Sequence, residues 1–176
     1  PILGAITQVT TDLCEALNKT GFLNTSEHKL LRFAAIFNNV GLMSASRAII
    51  RKSFVKPQQL TTKEQSLIER HPCQIDSLLP LVGDLYELKE IIRAHHENWD
   101  GSGYPDGLSN HMIPRVAQFL ALACYYAESN HYKEELNFKI QQLKGKRFAS
   151  EAVDAYMQLV ENKALPPKVQ ELKINQ

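Results

Sequence analysis

The segment "PRVAQFLALACYYAES", residues 114–129, constrains this chain more than any other. Its apolar residues fall on nearly every side of a helix, and Pro114 suits a first helical turn. Such a helix is stable in water only when other elements cover it all round. The pattern therefore predicts a central helix enclosed by its neighbours. With 176 residues the chain can bury one good core but not build two ordinary domains. The longest apolar run, "FLALACYYA" at 119–127, is far too short to span a bilayer.

Helical patterns fill most of the remainder. In "ITQVTTDLCEALNKTG" the residues Ile6, Val9, Leu13 and Leu17 recur at helical spacing, and Gly21 stops them. Ser26 is the expected cap of the next helix, with Leu30, Leu31, Phe33, Ala34 and Phe37 as its apolar face and Gly41 near its end. Thr61 with Glu64, or Thr62 with Gln65, offers a capping box, and Pro72 breaks the pattern after His71. A helix from about Gly83 runs through Leu88, Ile91 and Ile92 to His95 and His96. Two more are expected at 133–144 and 149–162, and Leu165-Pro166-Pro167 closes the fold ahead of a polar tail, 166–176. No alternating strand pattern is present. The expectation is an all-α, compact multi-helix bundle, one domain over 1–165.

Charge and cysteines narrow the function classes. Lys and Arg number 20 against 19 Asp and Glu, scattered along the chain, which gives no electrostatic grip on DNA, RNA or a membrane. Cys14, Cys73 and Cys124 form no CxxC pair and fit a reducing compartment, so the expected location is the cytoplasm. The first residues lack the basic flank and apolar stretch expected of a secretion signal. The sequence starts with Pro rather than Met, and an additional domain on the same chain is expected.

Chemistry concentrates in "HHENWDGSGYPDG", His95 to Gly107. Its Asp-Gly, Ser-Gly and Pro-Asp-Gly steps forbid regular structure. The glycines and Pro105 turn the chain while Trp99 and Tyr104 pack it down, yet loops of this length in compact domains are more often functional than decorative. His71, His95 and His96 sit at helix ends. Three imidazoles can hold a divalent metal and leave a position for water. Against this, helix neighbours diverge by about a third of a turn, so His95 and His96 face one ion only if the helix is ending. Backbone carbonyls also satisfy many lone histidines. His28, His111 and His131 read as surface residues.

The run "HHENWDGSGYPDGL" followed by "IP" resembles the signature of the HD-GYP family, all-helical phosphodiesterases of cyclic di-GMP within the HD superfamily. "LLRFAAIFNNVGLM" resembles the helix carrying that family's HD dyad, "LTTKEQSLIERHP" its "LTxEE…HP" segment, and "RFASEAVDAY" its closing helix. In active members, histidines and carboxylates hold two or three metals that activate a bridging water for attack on the phosphodiester. Carried over position by position, the resemblance assigns metal ligation to His71, His95 and His96. It sets the HD dyad on Asn38 and Asn39, a later metal-binding Asp on Cys124, and a phosphate-contacting lysine on Leu42. The first-helix histidine falls near Gly4 or Ala5. For the family's arginine segment, Tyr132 and Lys133 are the nearest substitutes. The loop residues Asp100, Gly101, Gly103, Tyr104 and Pro105 stand where the family has them.

Neutral amides at Asn38 and Asn39 bring no charge to bridge two cations, and the two-metal clamp needs that charge. In its apolar helix Cys124 reads as a buried, inert thiol. The resemblance therefore implies a catalytically inactive signalling module of cyclic di-GMP pathways. Its expected partners are diguanylate-cyclase-type domains or cyclic di-GMP itself. No cofactor is expected beyond, at most, one divalent ion (iron, manganese or zinc) on the three histidines. The alternative is a metal-dependent cyclic di-GMP phosphodiesterase with a reduced site. Arg93 and Arg115 flank the loop and read as solvated helix-face charges.

Overall fold

A computed structural model describes residues 2–78, 86–129 and 133–168. The α-helices are α1 (Ile2–Asn18), α2 (Thr25–Phe37), α3 (Arg47–Val55), α4 (Thr62–Glu69), the single turn α5 (Ile75–Leu78), α6 (Tyr86–Arg93), α7 (Arg115–Glu128), α8 (Lys133–Gln142) and α9 (Ser150–Glu161). Among the described residues no strand forms; Lys144 and Phe148 make one isolated bridge.

The helix that is apolar on all sides takes the centre. Val116 to Cys124 are buried without interruption in α7, followed by Tyr126 and Ala127. Helix α1 lays Ile6, Val9, Leu13 and Leu17 against it, and α2, α6 and α9 close around the pair. Each such side chain contributes about 1.5–3 kcal/mol when fully buried.

Several local expectations are corrected. Asn24, not Ser26, caps α2: its Oδ1 accepts from the N–H groups of Ser26 and Glu27, and Glu27 reaches back to the Asn24 N–H at 2.9 Å. The buried face is formed by Leu31, Ala34 and Ala35, with Phe33 and Phe37 52% and 37% exposed. The Thr61–Glu64 capping box forms. Glu64 also accepts from Lys52 at 2.7 Å, fastening α4 to α3, a helix that the apolar periodicity did not signal. The expected start at Gly83 lies outside the described residues. The tail begins later than 166: the Tyr126 hydroxyl donates to the Pro166 carbonyl at 2.6 Å, and Lys168 donates to the Ser129 carbonyl at 2.7 Å.

Arg93 and Arg115 are clamps rather than solvated charges. Arg93 forks onto the Asp106 carboxylate at 2.6 and 2.7 Å, tying α6 to the loop. Arg115 joins Glu27, Glu151 and the Phe22 carbonyl, and so links α7 to α2, α9 and the α1–α2 turn.

Candidate metal and ligand site

Three backbone breaks bring the site together. Helix α2 ends at Asn38, and the chain tightens into a 3₁₀ turn, Val40–Ser44. Gly41 there is pressed onto the His71 backbone, where a Cβ would come 2.0 Å from the His71 carbonyl oxygen. His71 itself opens the 3₁₀ turn that Pro72 starts after α4. Helix α6 stops at Arg93, so His95 and His96 lie in the turn beyond it and both can face inward.

The ring centroids of His95 and His96 are 4.0 Å apart, and His71 sits 5.3 Å from the first and 5.1 Å from the second. One ligand nitrogen from each lies within 4.8 Å of the others. The His71 Nδ1–H donates to the Ile68 carbonyl at 2.7 Å, and the His95 Nδ1–H donates to the Ile92 carbonyl at 2.5 Å. A carbonyl can only accept, so both rings carry their proton on Nδ1 and turn the Nε2 lone pair outward, as second-shell bonds to metal-binding histidines do. The His71 Nε2 is buried with no hydrogen-bond partner.

Burial keeps all three rings neutral. It pulls His71 down to about 4 against the weaker opposing pull of the Ile68 carbonyl. Burial and then the nearby His71 bring His95 to about 3. His96 falls well below its usual value through burial, reinforced by His95, His71 and Arg147. Neutral imidazoles are the form that binds metal. This donor set, with a buried orphan nitrogen at its centre, fits one divalent ion.

Around the cluster opens a cavity of about 400 Å³ lined by Asn39, Leu42, His71, His96 and Tyr104, together with Glu128, Arg147 and apolar residues including Phe54 and Tyr125. Asn38 and Asn39 are buried beside it. The Asn38 amide nitrogen donates to the Ala35 carbonyl at 2.7 Å, while its Oδ1 and the Asn39 Nδ2 have no partner. Leu42 makes an apolar wall. Cys124 is buried one turn before Glu128 on α7, and burial holds its thiol well above the usual range. Gly4 is exposed with open space around it. Tyr132 and the Lys133 side chain lie outside the described residues.

The glycine-rich loop is built around a carboxylate. Glu97 is 1% exposed and accepts N–H groups from Asp106 at 2.7 Å and from Gly107 and Leu108 at 3.1 Å each. Asp100 accepts from the Ser102 N–H at 3.0 Å, and Gly101 takes φ 82°, where glycine is at ease. Gly103 leaves no room for a Cβ, which would stand 2.3 Å from the Asn98 nitrogen. That approach, and the Tyr104 N–H donating to the His96 carbonyl at 3.2 Å, lay the Tyr104 ring on the His96 ring at 4.8 Å. Pro105 follows through a cis peptide bond.

Three site residues escaped the sequence reading. Glu97 stands next to the histidine pair, but no spacing or motif marks it as the loop's anchor. Glu128 ends the all-apolar helix, the one acidic residue in it, and burial lifts it to about 7 although Arg147 pulls the other way. Arg147 lies far along the chain and reaches the cavity through backbone pairing, as the Trp99 N–H donates to the Arg147 carbonyl at 3.1 Å and the Asp100 N–H to the Lys146 carbonyl at 2.8 Å. No local pattern signals that.

A family model described as HD domain matches residues 1–142. A cyclic di-GMP phosphodiesterase of Thermotoga maritima is 31% identical over 139 residues, covering 73% of this chain and 37% of the relative. The cyclic di-GMP phosphodiesterase response regulator RpfG of Xanthomonas campestris pv. campestris is 29% identical over 150 residues, 77% of this chain and 37% of its own length. A 3'3'-cGAMP-specific phosphodiesterase 2 of Vibrio cholerae is 27% identical over 165 residues, 88% of this chain and 31% of its own length. This chain thus spans only about a third of these relatives. A solved structure of an HDG"Y"P protein from Bdellovibrio bacteriovorus superposes with a TM-score of 0.71 at 17% identity, covering 88% of this chain and 51% of the other, which speaks for the fold. Matched from residue 1 to residue 142, the chain belongs to the HD-domain family and is homologous to cyclic di-GMP phosphodiesterases of the HD-GYP type.

Proposed function

We propose that this chain is a catalytically inactive HD-GYP-type signalling module that binds cyclic di-GMP or a closely related cyclic dinucleotide at a one-ion site. The observation that carries the reading is the pairing of Asn39 with His71 across one cavity. Where a hydrolytic metal pair needs bridging carboxylates, this wall presents amides. A divalent ion held by His71, His95 and His96 would act as a Lewis acid on a phosphoryl oxygen. The chain's own residues orient the ligand: Tyr104 and Tyr125 line its walls, Leu42 excludes water, and Asn39 offers a free amide. Removing the second cation withdraws stabilisation of both attacking and leaving oxygens, and each such loss costs several kcal/mol of barrier.

The loop, with Asp100, Gly101, Gly103, Tyr104 and Pro105 held by Glu97, is the surface we assign to a protein partner, of which a diguanylate-cyclase-type domain is the first to test. A further domain on the same chain and a cytoplasmic location belong to this reading. The three cysteines are free, and among the described residues no helix is long and apolar enough to cross a membrane.

Glu128 favours a second reading. A carboxyl group at about 7, lining the same cavity as His71 and His96, has the properties of a general base, and it would serve a reduced-site phosphodiesterase. Metal analysis of chelator-free protein, with cyclic di-GMP turnover in added manganese or iron, separates the two. We expect binding without turnover. Sustained hydrolysis that His95→Ala abolishes would establish the enzyme instead.

A further inference from the structure

We infer that Arg147 is the anion anchor of this cavity, gripping a phosphate of the bound nucleotide; the inference rests on the nucleotide-binding reading above. Resemblance placed the phosphate-contacting lysine on Leu42, which leaves the cavity wall there apolar and without charge. Arg147 restores a cation to the same cavity from a different part of the chain.

Its surroundings set it apart from the two arginines that clamp the fold. Arg93 and Arg115 spend their guanidinium groups on carboxylates. No side-chain hydrogen bond or ion pair engages the Arg147 guanidinium among the described residues. It is instead held on aromatic faces, 4.6 Å above the Tyr125 ring and 5.6 Å from that of Phe148. Stacking of this kind fixes the plane of the group and leaves its in-plane N–H donors unspent, the arrangement that suits forked recognition of phosphate. The half-buried position keeps salt from screening it fully.

Two further features fit. The loop is strapped to the Arg147 backbone through Trp99 and Asp100 and to His96 through Tyr104, so the guanidinium and the imidazoles belong to one rigid frame around one cavity. The only carboxylate among the described lining residues, Glu128, remains outside ion-pair distance of Arg147. Arg147 is thus available to an incoming anion, and Glu128 opposes that anion whenever it is charged.

The test is calorimetric titration of manganese-loaded protein with cyclic di-GMP between 50 and 300 mM salt (roughly the range in which one ionic contact is readable), on wild type, Arg147→Gln, Arg147→Lys and Glu128→Gln. We expect Arg147→Gln to weaken binding about 10- to 100-fold, the loss typical of one charge-assisted contact. It should also flatten the salt dependence, with Arg147→Lys between the two. Glu128→Gln should tighten binding at pH 8. A purely structural arginine predicts a lower melting temperature with unchanged affinity and salt slope, and that result overturns the inference while leaving nucleotide binding intact. Wild-type protein that binds no cyclic di-GMP removes the nucleotide reading and the anchor with it. Should Arg147→Gln fail to fold, Arg147→Lys decides: weaker binding at an unchanged melting temperature supports the inference, and affinity equal to wild type overturns it.

Discussion

Gly41 and His71 meet backbone to backbone, close enough that a methyl group on Gly41 would stand 2.0 Å from the His71 carbonyl oxygen. The contact sets the distance between the two asparagines and the histidine cluster. In Gly41→Ala the two turns must separate, since both colliding groups are backbone. We expect a loss of roughly 1–3 kcal/mol, the range for overpacking, and a weaker grip on metal. Thermal melting with and without zinc measures both; an unchanged melting point would mean that the turns slide freely.

The imidazole cluster should take up one ion per chain and not two. Elemental analysis after dialysis against manganese or zinc gives the ratio. His71→Ala should bring it close to zero, because it removes the imidazole nitrogen of the cluster that is already buried without a partner. Chelation should lower wild-type stability by about 3 kcal/mol when the free ion stood near a hundred times its dissociation constant, and leave His71→Ala unmoved.

Stability of the metal-free protein should pass through a maximum in pH. His71 and His95 titrate at about 4 and 3 when folded, against 6.5 when free. Below about 6.5 the unfolded chain gains protons that the folded chain refuses, and stability falls toward acid. Glu128 works in the opposite direction. Lifted from 4.5 to about 7 by burial, it binds its proton more tightly when folded, so stability also falls as pH rises from 4.5 through 7. Glu128→Gln should therefore be more stable than wild type at pH 8, by about 1–3 kcal/mol after allowing for its partial exposure, and equal to it at pH 4. Urea titrations at the two values decide the matter.

Loop order should depend on Glu97. Its carboxylate collects the N–H groups of Asp106, Gly107 and Leu108 in a place with almost no access to water. Glu97→Gln keeps the shape but loses charge-assisted acceptance, costing about 1.5–3 kcal/mol. Faster amide exchange across residues 100–108, with α7 still protected, is the expected signature. Exchange that rises uniformly would show that the loop and core open together.

What could be read in the sequence was what depends on local pattern. The all-apolar stretch of α7, the spacing of Ile6, Val9, Leu13 and Leu17, and the box at Thr61 are each written within a few turns of chain, and each appears in the structure. The condition for His95 and His96 to face together, a helix ending just before them, is met at Arg93. What depends on partners distant in sequence could not be read there. Arg115 looked like one more solvated charge until Glu27, 88 residues away, closed on it. Phe33 and Phe37 fit an apolar stripe, but the face packed against α1, α6 and α7 is that of Leu31, Ala34 and Ala35. Arg147 gave no hint at all, because its place is fixed by backbone pairing with a loop almost fifty residues upstream.

That pairing has a mechanical consequence. Trp99 and Asp100 hang by their own amides from the two residues Lys146 and Arg147, so the loop cannot be displaced without tugging on the chain that carries the guanidinium. Were a protein to grip the loop, the pull would reach the Arg147 segment through one amide. By the same strap, an occupied cavity would stiffen the loop from within.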